Sequence, residues 1–584
     1  MMKQFFILTI FLSAFYSAAA QPVIYVNQVA YNTDKSKKAV ISTDNLLSSD
    51  AHFYLLDSSG KTVFDAAVTK PQQINEWMPG KYLYVADFSK FHRDGNYKVC
   101  IKITGETITS PSFQIGKNAL ARLAIPSIAH YYRKQRANTP VEWQADKNIP
   151  VGTTGRTADL RGGWCDASGD VSKYFSHLAY TNFMSPQQTG LVTWSLINSA
   201  EKIPDLLNQW KVKDSVEDEA LWGADYIMRD LSDSGFFYQV VFSYFKKDPK
   251  YRRAVGLEAN SVTTNDYQCA FREGAGMAIA ALARISRWKK HSNFTSAQYL
   301  DGAERAFRHL LKYNIQYDDN HKENILDDYC ALMAATELWM ATGKDLYKSE
   351  ARKRASNLNA RITTHGYFIA DDSAYIYWHA SDAGLPVVAL ARYLDKEKDA
   401  QLREKALRTI RQSLNYNLRV TNDVPNPFGY ARQTFNFNGK IKEGFFIPHD
   451  NFSGWWWQGE DARLASLATA AIIGSQLLYQ DAKYRNEKDS LIAYASQQLS
   501  WILGCNPYSM CFMYGLGNNN VPYMSSNYGH GSERGGISNG ITGKENDGSG
   551  IEFKLKDEGN EWRWTEQWIP HAAWFLQAVT ALGK

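Results

Sequence analysis

Two carboxylates stand four residues apart in the stretch Arg161-Gly162-Gly163-Trp164-Cys165-Asp166-Ala167-Ser168-Gly169-Asp170-Val171-Ser172-Lys173-Tyr174. Glycine and serine are poor helix-interior residues, so the segment reads as a tight loop. Such a loop can aim Asp166 and Asp170 at one point, where each raises the chance that the other has a shifted pKa. Paired carboxyl groups of this kind do general acid and base work. The flanking Trp164 and Tyr174 offer flat apolar faces of the type that suits sugar rings. The same residues also spell an ordinary turn ahead of a helix, with Asp170 as its N-cap.

Further aromatic clusters are candidate sugar platforms. Gly454-Trp455-Trp456-Trp457-Gln458-Gly459 carries three adjacent tryptophans, which cannot all face inward on a regular element. Trp455 and Trp456 therefore read as rim residues, with buried packing as the alternative. In Tyr375-Ile376-Tyr377-Trp378-His379, Trp378 offers a ring and His379 a hydrogen bond to a hydroxyl, with a structural histidine as the alternative. Asp327-Asp328 and Asp371-Asp372 are acid pairs of a type that binds calcium. No twelve-residue calcium loop surrounds them, so they read as solvated acids, and no metal or cofactor is expected.

These residues need elements to hold them. Short β-prone runs at Val23–Val26, Lys38–Ile41, His52–Leu56 and Tyr82–Val85 alternate with turns, and together they predict a β-sandwich over residues 21–115. From residue 116 to 584 the apolar spacing becomes helical. Leu221, Ala224, Met228 and Leu231 share one face, as do Leu407, Ile410 and Leu414. Further helices are predicted near 274–285, 332–341, 385–393, 464–478, 491–503 and 572–582. Helices numbering about a dozen admit an (α/α)6 barrel.

Of the 584 residues, 14% are aromatic, a high load that either a large core or a long aromatic-lined cleft accounts for. The net charge of +5 is spread without a dense basic run, which argues against nucleic acid or an anionic membrane as partner. Six cysteines stand apart with no metal-type spacing, and they read as buried small residues. Lys3, the apolar run Phe5–Tyr16 and Ala18-Ala19-Ala20 compose a cleavable export signal over residues 1–20. No other run is long enough to span a membrane. The expectation is an exported, periplasmic or secreted monomer.

The Gly162–Tyr174 segment resembles the Gly-Gly-Trp-Tyr-Asp-Ala-Gly-Asp…Lys-Tyr segment of glycoside hydrolase family 9, with one extra residue between the aspartates. Tyr132-Arg133-Lys134-Gln135-Arg136 and Trp501-Ile502-Leu503-Gly504-Cys505-Asn506-Pro507 resemble other signatures of that family. Tyr25-Val26-Asn27-Gln28-Val29-Ala30-Tyr31 is similar to the opening of the immunoglobulin-like domain that precedes many of its catalytic domains. The resemblance implies an (α/α)6 barrel behind an immunoglobulin-like sandwich, and inverting hydrolysis of β-1,4-glucans. It implies Asp170 as general base and Asp166 as its partner in holding water. The family's Pro-His-His-Arg is replaced by a stretch running from Pro522, in which His530 and Arg534 are the candidates for its sugar contacts.

The family's acid motif, Asn-Glu-x-x-Ile, splits here between two glutamates. Asn560-Glu561 keeps the first half, whereas Glu566 has Ile569 three residues on and Pro570 at an early helical position. Glu566 is the predicted general acid, desolvated by Trp562, Trp564 and Trp568. A helix-capping role is the alternative for that residue. The expected partner is a β-glucan: cellulose, mixed-linkage glucan or xyloglucan. A glycan-binding protein that has lost catalysis, and an exo-acting glycosidase of the same fold, are the competing readings.

Overall fold

The computed structural model describes residues 22–103, 105–177, 186–258, 261–371, 381–449 and 458–583. The chain begins with nine strands: β1 Val23–Tyr25, β2 Ala30–Asn32, β3 Lys38–Thr43, β4 His52–Asp57, β5 Thr62–Ala67, β6 Tyr82–Asp87, β7 Gly95–Ile103, β8 Glu106–Thr109 and β9 Phe113–Gly116. One sheet runs β2-β9-β7-β4-β5, with β8 also on β7, and faces a second sheet of order β1-β3-β6. All pairs are antiparallel except β2 with β9. Along β7 the side chains of Tyr97, Val99 and Ile101 are buried while Asn96 and Lys98 are exposed. That alternation follows from the two-residue period of a strand.

Twelve longer helices follow among the described residues: α1 Ala119–Gln135, α2 Thr189–Lys202, α3 Lys213–Asp230, α4 Gly276–Ile285, α5 Ser296–Tyr317, α6 Ile325–Thr342, α7 Asp345–Arg361, α8 Leu385–Leu394, α9 Ala400–Asn422, α10 Asp461–Leu478, α11 Arg485–Ile502 and α12 Ile569–Leu582. The even-numbered helices close a ring, α2-α4-α6-α8-α10-α12 and back to α2, and the odd-numbered ones pack outside it. Sequence decides which layer each joins. Every residue of α4 and of α12 is buried, as a helix apolar all round requires. On α5 burial is confined to one face, with Tyr299, Ala303, Phe307 and Leu310 among the buried residues, and most of the other face is polar or charged. The result is the expected (α/α)6 barrel behind a β-sandwich. No described helix is long and apolar enough to cross a membrane.

The sandwich is fastened to the barrel. Gln28 donates Nε2–H to the Ser509 carbonyl at 2.7 Å and accepts from Asn518 N–H at 2.9 Å. Trp77 inserts among Phe445, Trp501 and Tyr430 with ring centroids 4.4, 5.6 and 6.0 Å away.

One expectation is corrected here. Asp327 and Asp328 are not solvated; they form the buried first turn of α6, where Arg272 lies 3.5 Å from Asp327, and Arg354 and Arg361 hold Asp328 at 3.2 and 2.7 Å. Negative side chains there also face the positive end of the helix. Asp371 is described; Asp372 lies outside the described residues. All six cysteines are buried and unbridged.

Candidate active site

The aspartate loop leads into α2, and Glu566 stands just ahead of α12, its neighbour in the ring. Both therefore arrive at the same end of the barrel. The loop is tied directly to the α12 approach: Ser168 N–H donates to the Gln567 carbonyl at 2.9 Å, Gln567 N–H donates to Ser168 Oγ at 3.0 Å, and Ile569 N–H donates to the Asp166 carbonyl at 3.0 Å.

The loop's shape has local causes. Gly163 has φ 73°, and a Cβ there would lie 2.7 Å from the Tyr226 ring, so only glycine fits. Lys173 is fully buried and donates to Asp146 at 2.8 Å and to the carbonyls of Leu160 and Gly162 at 2.6 and 3.0 Å. Its Lys-Tyr step forms β10 Lys173–Tyr174, the edge of a small antiparallel sheet with β11 Val240–Phe242, β12 Arg253–Glu258 and β13 Val262–Thr264. Arg252 donates to the Val171 carbonyl at 2.7 Å, to Asp146 at 2.9 Å and to Glu142 at 2.9 Å. Removing one partner from a buried network of this kind costs about 3–5 kcal/mol, so the loop is held firmly.

The three carboxyl groups sit in different surroundings. Asp170 is half-buried, and one oxygen, Oδ1, accepts from Val171 N–H at 2.6 Å, Ser172 N–H at 3.1 Å, Ser172 Oγ at 3.2 Å and Ser243 Oγ at 3.4 Å. Asp166 is buried, with Oδ2 3.3 Å from His177 Nε2, while its Oδ1 has no hydrogen-bond partner. Burial, then the charges of Asp170 and Glu566, push the Asp166 carboxyl well above the usual range. Glu566 is half-buried and accepts from Trp568 Nε1 at 2.6 Å. Burial, then the Asp170 charge, push it up to about 8, against the opposing pull of Trp568 and Lys247. Glu561, the competing glutamate, is the N-cap of the short helix Trp562–Thr565 and accepts from Gly559 N–H at 2.9 Å.

Several predicted contacts are corrected. Trp164 is fully buried against Tyr132, at 5.8 Å between centroids, and donates to Glu219 at 3.3 Å. Tyr174 is buried too, covered by His177 at 3.7 Å and by Phe242. Neither ring has a face open to a sugar; both pack the loop. His530 turns its ring inward, to the Lys134 carbonyl and to Glu142, each at 3.0 Å. Burial works to lower its pKa, but Cys165 and Glu142 beside it push it up to about 11. Its carbonyl also ties it to the loop, accepting from Gly169 N–H at 2.7 Å. Arg534 is exposed and donates to Ser127 on α1 at 3.2 Å rather than to the aspartate loop. Trp378, His379, Trp455 and Trp456 lie outside the described residues.

Ligand atoms of Glu142, Cys165 and His530 come within 4.8 Å of one another, a trio that cysteine and histidine spacing gave no sign of. Arg252 contacts both Glu142 and Cys165, and its positive charge fills the place a cation would take.

Sequence reasoning missed His177 and Tyr131. His177 lies between Tyr174 and Trp568, parallel to both. Tyr131 is buried, its hydroxyl accepts and donates no hydrogen bond, and the charges of Asp166 and Glu566 help to raise its pKa. For Tyr131 the signal was its place beside the Tyr132–Arg136 signature; for His177 there was none.

Comparison with known proteins agrees with this architecture. Residues 123–578 match the model of Glycosyl hydrolase family 9, and residues 19–106 match the Cellulase N-terminal ig-like domain. A cellulose 1,4-beta-cellobiosidase of Acetivibrio thermocellus is 25% identical over 56% of this chain, which spans only 42% of that relative's length. A xyloglucan-specific endo-beta-1,4-glucanase of Bacteroides ovatus is 24% identical over 86% of this chain and 82% of its own. The crystal structure of a metagenome-derived family 9 endoglucanase shares the fold with a TM-score of 0.66 at 18% identity, covering 96% of this chain and 99% of that one. The match over most of the barrel places this chain in glycosyl hydrolase family 9, a family of inverting glycoside hydrolases.

Proposed function

We propose that this chain is an exported glucanase that cleaves β-1,4-glucan backbones internally, with Asp170 as general base, Asp166 as its partner and Glu566 as general acid. The observation that carries the reading is the contrast between two carboxyl groups at one barrel end. Glu566 is pushed up to about 8 and so keeps its proton near neutral pH. Asp170 is held through one oxygen, Oδ1, by four donors, which fixes its orientation and leaves Oδ2 to face a water. One carboxyl group that keeps its proton beside one that is oriented to receive a proton supports the roles of acid and base.

In the cleavage step Glu566 gives its proton to the glycosidic oxygen. Trp568 Nε1 already donates to Oε2, so the proton resides on Oε1. Asp170 Oδ2 takes a proton from a water that attacks the anomeric carbon from the opposite face. The bond to the leaving sugar breaks, and the new hydroxyl carries the inverted configuration. The unpartnered Asp166 Oδ1 is available to hold that water. Of the β-1,4-glucans, xyloglucan is the favoured substrate: a relative aligned over 86% of this chain and 82% of its own length is specific for it. The export signal at Met1–Ala20 supports action outside the cytoplasm.

A panel of cellulose, mixed-linkage glucan and xyloglucan, with product sizing, tests the reading. Mid-length products with new reducing ends are expected. Single sugars or disaccharides released from the start would replace it with exo action, and binding without new ends would replace it with a glycan-binding protein.

A further inference from the structure

Directly after β11 the backbone does something that bulky residues rarely do. Tyr244, Phe245 and Lys247 have φ of 56°, 54° and 53°, the left-handed region that favours glycine. No glycine occurs in the segment. Tyr244 is 37% exposed and Phe245 57% exposed, so the strained backbone also holds two aromatic rings in water. Both rings lean on the buried Phe242, each at 5.0 Å between centroids. Strain and exposed apolar surface both oppose folding, and backbone strain of this type concentrates at ligand-binding sites.

The segment is also joined to the reacting groups. Ser243, the residue before Tyr244, is buried; its Oγ lies 2.9 Å from Ser172 Oγ and 3.4 Å from Asp170 Oδ1. At the other end Lys247 is close enough for its charge to act on Glu566. The aromatic pair therefore stands on a strap that runs past the base and the acid together.

We propose that Tyr244 and Phe245 form a sugar-binding subsite at the lip of the cleft, where a pyranose ring of the glucan chain next to the cleaved bond lies on their exposed faces. The ligand class follows from the place: the C–H face of a pyranose suits an exposed aromatic ring, and the strap is continuous with the carboxyl groups that cut the chain. This subsite rests on the glucanase reading above.

The test is the double variant Tyr244→Gly/Phe245→Gly, beside Tyr244→Trp/Phe245→Trp, with xyloglucan and cellohexaose as substrates. Glycine relieves the left-handed strain, so the first variant folds and its Tm does not fall. Its KM rises roughly tenfold while kcat changes by less than about threefold, the pattern of lost uniform binding. The tryptophan variant retains KM within about twofold of wild type. A glycine variant with wild-type KM overturns the subsite, as does a raised KM that comes only with a lowered Tm, because the rings would then be serving packing. If the wild-type protein cleaves no β-1,4-glucan, the glucanase reading fails and the subsite falls with it. If the wild type cleaves and the glycine variant matches it, the subsite alone fails.

Discussion

His177 lies face to face with Trp568, ring centroids 5.3 Å apart and planes within 15°, and each ring holds one carboxyl group of the site. His177 Nε2 meets Asp166 at 3.3 Å, and Trp568 Nε1 donates to Glu566 at 2.6 Å. The stack fixes the spacing between the water-holding side of the site and its acid. Burial lowers the His177 pKa to about 3, so the ring is neutral wherever the enzyme works. It contributes a hydrogen bond and a shape, and no charge.

Replacing His177 with Phe retains the ring in the stack and removes the hydrogen bond. Loss of a hydrogen bond between two uncharged groups is worth about 0.5–1.5 kcal/mol, so kcat is expected to fall roughly 2- to 10-fold with KM little changed. Steady-state kinetics on a soluble glucan measure this. A His177→Phe protein with wild-type kcat would mean that Asp166 is oriented by other contacts.

Asp170→Ala should lower turnover by at least about 10²–10⁴-fold, the usual worth of one general base. The fold should survive, because the loop's anchors are Lys173 and Arg252 rather than Asp170. Thermal melting beside the rate assay separates the two effects. Fresh wild-type product followed by NMR should carry the α configuration; retention of β would refute the base assignment.

Much of this was legible in the sequence, for a physical reason. Apolar spacing reports which face of an element meets the core, so the α9 stripe of Ile410 and Leu414 could be read directly. Ile569 and Pro570 marked the start of α12 and thereby separated Glu566 from Glu561. Aromatic type, in contrast, does not report exposure. Trp164 has the chemistry of a sugar platform, yet Tyr132 and Glu219, from distant parts of the chain, enclose it. His530 was drawn to the right region, but Lys134 and Glu142 decide where its ring points. The two departures from the family pattern also proved to touch: a Cβ at Gly169 would lie 3.2 Å from Met524, so the longer aspartate loop and the altered 522–530 stretch fit each other. The left-handed backbone at Tyr244 and Phe245 left no trace in sequence, because glycine is its usual marker.

Trp77→Ala should lower stability by about 3–5 kcal/mol, the usual range for a buried tryptophan. Trp77 belongs to the sandwich but is buried among barrel residues, so the loss should appear as a lower Tm of the whole protein. A chain lacking residues 21–115 should likewise melt lower, since it exposes Phe445 and Trp501. An unchanged melting temperature in either protein would show that the sandwich is a passive appendage.

Glu566→Gln against Glu561→Gln decides the acid. Glu566 must be protonated to act, and its carboxyl is pushed up to about 8. Activity should therefore hold through neutral pH and fall as pH rises past about 8, giving the alkaline limb of kcat/KM. Lys247 opposes the upward push, so Lys247→Met should move that limb to higher pH. Stability has its own sign. A carboxyl whose folded pKa exceeds its unfolded value binds its proton more tightly when folded, so its contribution is lost as pH rises from the unfolded value through about 8. Glu566→Gln cannot ionise, and it should therefore melt above wild type at pH 9 while cleaving natural glucan at least about 10²-fold more slowly. Glu561→Gln, altering only a bond to Gly559, should match wild type in both measurements. A Glu566→Gln protein that cleaves at near wild-type rate, beside an inactive Glu561→Gln protein, would move the acid to the other glutamate.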